Sequence, residues 1–338
     1  EAFFEERVHE IRRIHPDPQQ INAAAEKIKA SKQPIIISGG GVLYSEAEEE
    51  LSQFAKKHNI PVTATAMGIG CMTKEESHYI GGIGGLGEKS ANNLSKETDL
   101  ALAIGTKLAD FTTGSWANFE SDRFQLVSLN AARFDTTKHL ATPIVADAKI
   151  GLQQLSQALG DWRAPDPWFE RAVQERTEWE THVQKQSGPT NQEEPSYAHA
   201  VGAVYRNADP SDIVVTAAGG LVGEVVQVWK PKQRNTFETE WGFSCMGYEI
   251  SGALGIKMAK PDQDVVVFLG DGSYLLSNSD IYSSVLYDQK LIIILCDNGG
   301  HMVINRLQLA KGGKEYICNL RAARATNLQF VDFESHAK

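Results

Sequence analysis

Two strongly apolar runs, Val265–Leu269 and Leu291–Cys296, have the length and β-branched content of strands buried on both faces. Between them, Leu275–Tyr287 reads as a crossover helix, which makes the unit β-α-β and its two strands parallel. Each strand runs into a polar, glycine-rich turn, Gly270-Asp271-Gly272-Ser273 after the first and Asp297-Asn298-Gly299-Gly300 after the second. Adjacent parallel strands bring both turns to one sheet edge, where open α/β sheets bind their ligands. The edge then holds one carboxylate (Asp271), one amide oxygen (Asn298) and backbone carbonyls near Gly300. Such hard oxygen donors, too few to enclose a cation, suit a Mg²⁺ that phosphate also holds.

The same alternation runs through the rest of the chain. Gln19–Ser31 reads as a helix and Pro34–Ser38 as a buried strand, turning at Gly39-Gly40-Gly41 into a helix over Ser45–His58. Its Glu46, Glu48, Glu49 and Glu50 form a solvated N-terminal face favoured by the helix dipole. Strands follow at Ile60–Thr65, Asp99–Gly105 and Phe124–Asn130, and a helix at Lys149–Leu159 closes the series. The expected class is α/β with two doubly wound parallel-sheet domains. Residues 1–17 form a lead-in and 18–159 a central domain. Residues 160–195 are a linker with a charged helix, bounded by proline-rich and polar stretches, and 196–338 form the second domain.

The second domain opens with a helix at Tyr197–Arg206 and a strand at Ile213–Thr216 ending in Ala217-Ala218-Gly219-Gly220. This third glycine turn is a candidate to cradle phosphate through backbone N–H groups. Further on, Ser251, Gly252 and Gly255 lie at helical spacing, suited to close packing, with the helix N-terminus near Met246. Gly82-Ile83-Gly84-Gly85-Leu86-Gly87 satisfies the GxGxxG dinucleotide pattern, yet His78-Tyr79-Ile80 before it makes a poor strand and no acidic residue closes a later strand at the right distance. A plain glycine-rich turn is the expectation there. A capped turn is expected at Asp110–Ser115.

Composition narrows the classes. The 338 residues, 42% hydrophobic and 22% charged, suit a globular protein with buried cores. A net charge of −10 with no basic block argues against nucleic acid. No apolar run reaches membrane-spanning length and no leader pattern opens the chain. Cys71, Cys245, Cys296 and Cys318 form no CxxC or His/Cys cluster and read as reduced thiols of a cytoplasmic protein. A start without Met and a stop just after the apolar Leu328–Phe333 segment suggest a piece of a longer protein.

Gly270-Asp271-Gly272, followed after 24 residues (273–296) by Asp297-Asn298, resembles the diphosphate-binding motif of thiamine-diphosphate enzymes, with Asp297 in place of the usual first Asn. The resemblance implies that Asp271, Asn298 and the carbonyl of Gly300 hold a Mg²⁺ bridging the cofactor's diphosphate. Gly219, Gly220, Gly270, Gly272 and Ser273 would line that group. Cys245-Met246-Gly247 resembles the segment where acetolactate-synthase-like members place a bulky residue that props the cofactor in its bent shape. Met246 would be that residue here; a plain core role is the alternative.

Further segments extend the likeness over nearly the whole chain: Glu5–Pro18, Pro34–Ser45, Asp110–Ser115, Phe134–His139, Gly242–Glu249 and Ile304–Gln308. They resemble the trihydroxycyclohexane-dione hydrolase family of myo-inositol catabolism, which opens a cyclic 1,2-diketone ring to 5-deoxyglucuronate. Gly299 and His301 depart from the basic or aromatic pattern expected after Asn298, which leaves any role of His301 open. The resemblance also implies a cofactor-activating glutamate in a pyrimidine-binding domain absent from this sequence, and an active site shared between subunits of a homodimer or homotetramer. An acetolactate-synthase-like carboligase or decarboxylase and a non-catalytic nucleotide-binding α/β protein are the competing readings.

Overall fold

The computed structural model describes residues 4–7, 10, 12–320 and 331–338. Val8, His9 and Ile11 of the N-terminal motif and residues 328–330 of the closing apolar segment lie outside them. The chain forms two compact units, one of residues 1–213 with 223–239 and one of residues 214–222 with 240–338.

In chain order the first unit begins with α1 (Pro18–Ala30), β1 (Pro34–Ser38), α2 (Gly40–Tyr44), α3 (Glu48–His58), β2 (Val62–Ala64), β3 (Tyr79–Gly82), α4 (Lys89–Glu97) and β4 (Leu100–Ile104). It continues with α5 (Asp110–Thr113), β5 (Gln125–Asn130), α6 (Arg133–Thr137), β6 (Thr142–Val145), α7 (Ala148–Leu159), α8 (Asp166–Gln186) and α9 (Tyr197–Asn207). Then come β7 (Ile213–Thr216), α10 (Leu221–Val228), β8 (Phe237–Thr239), α11 (Tyr248–Ala259), β9 (Val265–Gly270) and α12 (Asp271–Leu276). The last elements are α13 (Ser279–Leu286), β10 (Ile292–Cys296), α14 (Met302–Ala310) and α15 (Phe333–Ala337).

The first sheet has six strands in the order β3-β2-β1-β4-β5-β6, and every pair in it is parallel. Ile35, Ile36 and Ile37 of β1 are completely buried, as a central strand covered on both faces requires. Burial of this kind stabilises by roughly 1.5–3 kcal/mol per large aliphatic side chain. The buried Trp168 of α8 packs into the same core and donates its indole N–H to the Pro34 carbonyl at 2.8 Å. The order reverses between β1 and β4, the usual ligand crevice of such a sheet. Here glycine packing fills it: the Gly41 N–H donates to the Gly105 carbonyl at 3.0 Å, and a Cβ on Gly41 would lie 2.6 Å from the Gly105 Cα.

The second sheet follows the order β10-β9-β7-β8. β9 and β10 pair in parallel with Cys296 opposite Gly270, so the residues that follow each strand emerge side by side.

Several expectations need correction. His78-Tyr79-Ile80 does lead into a strand: β3 pairs with β2 through a register shift at Val62/Thr63. Two glycines in a short edge strand hid it from propensity. The helix expected at Ser45–His58 begins only at Glu48 as α3, with a short separate helix, α2, in place of the expected Gly39-Gly40-Gly41 turn, and the crossover helix at Leu275–Tyr287 is broken into α12 and α13. Ser277-Asn278-Ser279 lies at that break, where short polar side chains compete for the backbone. Asp271 is not part of an irregular turn but the first residue of α12. The Ser251–Gly255 face of α11 is packed only in part: Ser251 donates to Asp280 of α13 and Gly252 makes room for the ring of Tyr248, whose Cζ would lie 2.7 Å from a Cβ there, but Gly255 has nothing within 4 Å of its Cβ direction. Ile250, Ala253 and Leu254 face inward instead.

Candidate functional site

Asp271 stands where β9 passes into α12 and is 2% exposed. Its Oδ2 accepts the Gly300 N–H at 2.7 Å, and backbone N–H groups of Asn298 and Gly272 also donate to the carboxylate. Both turns foreseen at this edge therefore meet on one side chain. Its Oδ1 is buried with no partner among the described residues. Burial, and then the neighbouring Asp297, push the Asp271 carboxyl above its ordinary range. An orphaned, desolvated carboxylate oxygen beside a second carboxylate is what a divalent cation would relieve. Asn298 is exposed at the rim. The contact between Gly300 and Asp271 runs through the amide N–H, and the Gly300 carbonyl takes no part in it. Among the described residues no group of three or more His, Cys, Asp or Glu is gathered for a metal.

Met246 and Gly272 come together, and His301 joins them. A Cβ on Gly272 would lie 2.9 Å from His301 Nδ1 and 3.1 Å from Met246 Cε. Glycine at 272 therefore makes room for both side chains. Met246 is 38% exposed, which fits a wall of an open site better than a core residue. His301, left open by the sequence, lies beside the turn that holds Asp271.

The organising residue of this edge is one the sequence reading missed. Glu249, in the first turn of α11, is completely buried. Its carboxylate accepts the Ala218 N–H at 3.2 Å and the Gly247 N–H at 2.8 Å, and the Ser273 hydroxyl also donates to it. One side chain thus ties together the Ala217–Gly220 turn, the Met246 segment and the start of α12. Burial pushes its carboxyl above the usual range, against the pull of those donors. Its sequence signal is a single acid between Tyr248 and Ile250 where a buried helix start is expected. In the third turn, Gly219 has φ +83° and open space around its Cβ direction.

The GxGxxG loop behaves differently. The Gly82 N–H donates to Glu88 Oε1 at 2.7 Å, Gly84 exchanges two hydrogen bonds of 2.9 Å with the Asn92 amide, and the Gly85 N–H goes to the Phe111 carbonyl at 2.7 Å. Glu88 is also ion-paired with Lys230. The loop's donors are taken by its own chain. The four cysteines are free, and no described helix is long and apolar enough to cross a membrane.

A parallel sheet with a desolvated carboxylate at the paired ends of β9 and β10 is the architecture of a cofactor-diphosphate domain, and comparison with known families agrees. Residues 21–155 match the thiamine pyrophosphate enzyme central domain, and residues 217–338 match the thiamine pyrophosphate enzyme C-terminal TPP binding domain. The chain belongs to the thiamine pyrophosphate enzymes. Among curated proteins it is similar to 3D-(3,5/4)-trihydroxycyclohexane-1,2-dione hydrolases. It is 35% identical to that of Geobacillus thermodenitrificans, over 95% of this chain and 53% of the relative. The Lacticaseibacillus casei protein is 34% identical and the Clostridium tetani protein 35%, each over 95% of this chain and 54% of the relative. The chain spans about half the length of the curated relatives it matches.

Proposed function

We propose that this chain carries the metal- and diphosphate-binding half of a thiamine-diphosphate, Mg²⁺-dependent hydrolase that opens a cyclic 1,2-diketone ring by C–C cleavage. In this reading the product is 5-deoxyglucuronate and the setting is myo-inositol breakdown in the cytoplasm. The observation that carries it is the buried, unpartnered Oδ1 of Asp271 at the paired ends of β9 and β10. The name of the relatives supports the substrate class.

Asp271 Oδ1, the Asn298 amide oxygen and the Gly300 carbonyl would hold the metal. Gly219, Gly220, Gly270, Gly272 and Ser273 would border the diphosphate, and Met246 with His301 would form the wall beside it. When bound, thiamine diphosphate supplies a nucleophilic carbon and an electron sink, so that the bond between two adjacent carbonyl carbons can break. Water adds across that bond, its hydroxyl going to the acyl carbon as a carboxylate and its hydrogen to the other carbon. Glu249 does not act on the substrate in this scheme; it fixes the spacing of three turns around the cofactor. The activating glutamate is assigned to a pyrimidine-binding domain, and the complete site to a homodimer or homotetramer, so this chain by itself should show little or no turnover.

Isothermal titration with thiamine diphosphate and Mg²⁺ tests the reading. Binding by the wild type and its loss in Asp271→Ala are expected; equal affinity in both proteins would sink it. Product analysis of the assembled enzyme with a cyclic dione and with pyruvate separates the hydrolase from a carboligase. The occupied donors of the Gly82–Gly87 loop speak against a dinucleotide-binding protein.

A further inference from the structure

We infer that Arg306 is the cationic arm of a phosphate subsite built on the Gly219-Gly220 turn, one strand over from Asp271. The identity of the anion rests on the thiamine-diphosphate reading above; the geometry does not.

A Cβ on Gly220 would lie 2.5 Å from Arg306 Nη2 and 4.0 Å from the Val303 Cβ. The α14 helix therefore lies along the turn after β7, and the guanidinium occupies the space that a side chain at 220 would fill. Next to it, Gly219 is in the left-handed region at φ +83° and its outer side is bare. Among the described residues Arg306 makes no hydrogen bond or ion pair, although a guanidinium carries five donors. Arg13, Arg171, Arg176, Arg206 and Arg234 are engaged, whereas the exposed Arg306 shares its lack of a side-chain partner among the described residues with Arg12, Arg123 and Arg133; what sets it apart is its place over Gly220. The nearby carboxylate of Glu249 is already occupied by Ala218, Gly247 and Ser273.

An unengaged guanidinium folded over a bare glycine turn matches the planar, two-point recognition of phosphate or carboxylate. The neighbouring metal site decides between them. β7 and β9 are adjacent in the sheet, so their ends lie about 4.8 Å apart. A diphosphate would offer anionic oxygens both to a metal held by Asp271 and to the guanidinium at Gly220. A lone carboxylate would need neither the glycine turn nor the metal.

The experiment is isothermal titration of the full chain with inorganic pyrophosphate, with and without Mg²⁺, on the wild type, Arg306→Gln, Arg306→Lys, Gly220→Ala and Asp271→Asn, with far-UV dichroism confirming the fold. Gly220→Ala is the independent route, because its methyl meets only the tip of a flexible side chain and pushes the guanidinium aside. Arg306→Gln should weaken pyrophosphate binding about tenfold or more and flatten its salt dependence, as loss of a charged hydrogen-bonding group does. Gly220→Ala should show a similar loss and Arg306→Lys a smaller one. Unchanged affinity in both Arg306→Gln and Gly220→Ala overturns the inference, and so does a loss seen only with gluconate as a carboxylate probe. If Asp271→Asn abolishes binding while Arg306→Gln does not, the thiamine reading stands and the Arg306 subsite falls. Metal-independent binding that is lost in Arg306→Gln and kept in Asp271→Asn leaves the subsite and removes the thiamine reading.

Discussion

Two glycine-rich stretches at strand ends, Gly82–Gly87 after β3 and Gly270–Ser273 after β9, differ in what their backbone and acids are left to do. In the first, Glu88 and Asn92 reach back and take the N–H groups that a phosphate would need, and Lys230 neutralises the carboxylate. In the second, the acid itself is held by backbone donors and keeps one buried oxygen without a partner among the described residues. The first loop is closed on itself; the second leaves a buried acceptor with no donor among the described residues. Glycine pattern alone does not distinguish them. The satisfaction of every buried donor and acceptor does.

The comparison breaks most visibly at Asp271. Asp271→Ala should weaken Mg²⁺–thiamine-diphosphate binding by more than the roughly 10–100-fold that even outer partners of a metal site cost, read by titration calorimetry. The matching change in the other loop, Glu88→Ala, should leave cofactor affinity alone and lower stability by about 3–5 kcal/mol, because Lys230 stays behind as a buried, unpaired charge. Urea unfolding measures the loss, and titration with NAD should give no binding in either protein. A stable Glu88→Ala protein would show that the loop is not self-closed after all.

Smaller effects sharpen the contrast through pH. Asp271 has a folded-state pKa above its unfolded value, so in the cofactor-free protein its contribution to stability is present at low pH and is lost as pH rises through the raised value. A cation reverses this by displacing the proton. Mg²⁺ affinity should therefore fall on acidification at a pH above the normal carboxylate range, with proton release on binding, seen as a dependence of the calorimetric heat on buffer. His78, in the first unit, works in the opposite direction. It is buried against Phe169 with ring centroids 4.2 Å apart, and burial depresses its pKa to about 4 from 6.5. Its contribution is complete above pH 6.5 and is lost as pH falls towards 4. The urea midpoint should decline across that window, and His78→Asn should flatten the decline at the expense of the stacking contact.

Much of the site was readable because parallel strands impose a simple rule: runs of buried β-branched residues place whatever follows them on one edge. Asp271 and Asn298 needed no more than that. The strands β3, β6 and β8 were harder, since two glycines, a proline and a three-residue span carry little propensity. Their state is decided by neighbours.

The sequence by itself determined the layered α/β class, the pairing of β9 with β10 and the acid that lies at their ends, because these follow from local apolar patterning and from the fixed geometry of a β-α-β unit. Only the tertiary structure decided which polar groups remain unsatisfied. Glu249 gathers donors from positions 218, 247 and 273, Glu88 fills its own loop, and the Arg306 guanidinium lies over Gly220. Those relations join residues remote along the chain, and hydrogen bonding depends on distances of a few tenths of an ångström that no one-dimensional pattern encodes.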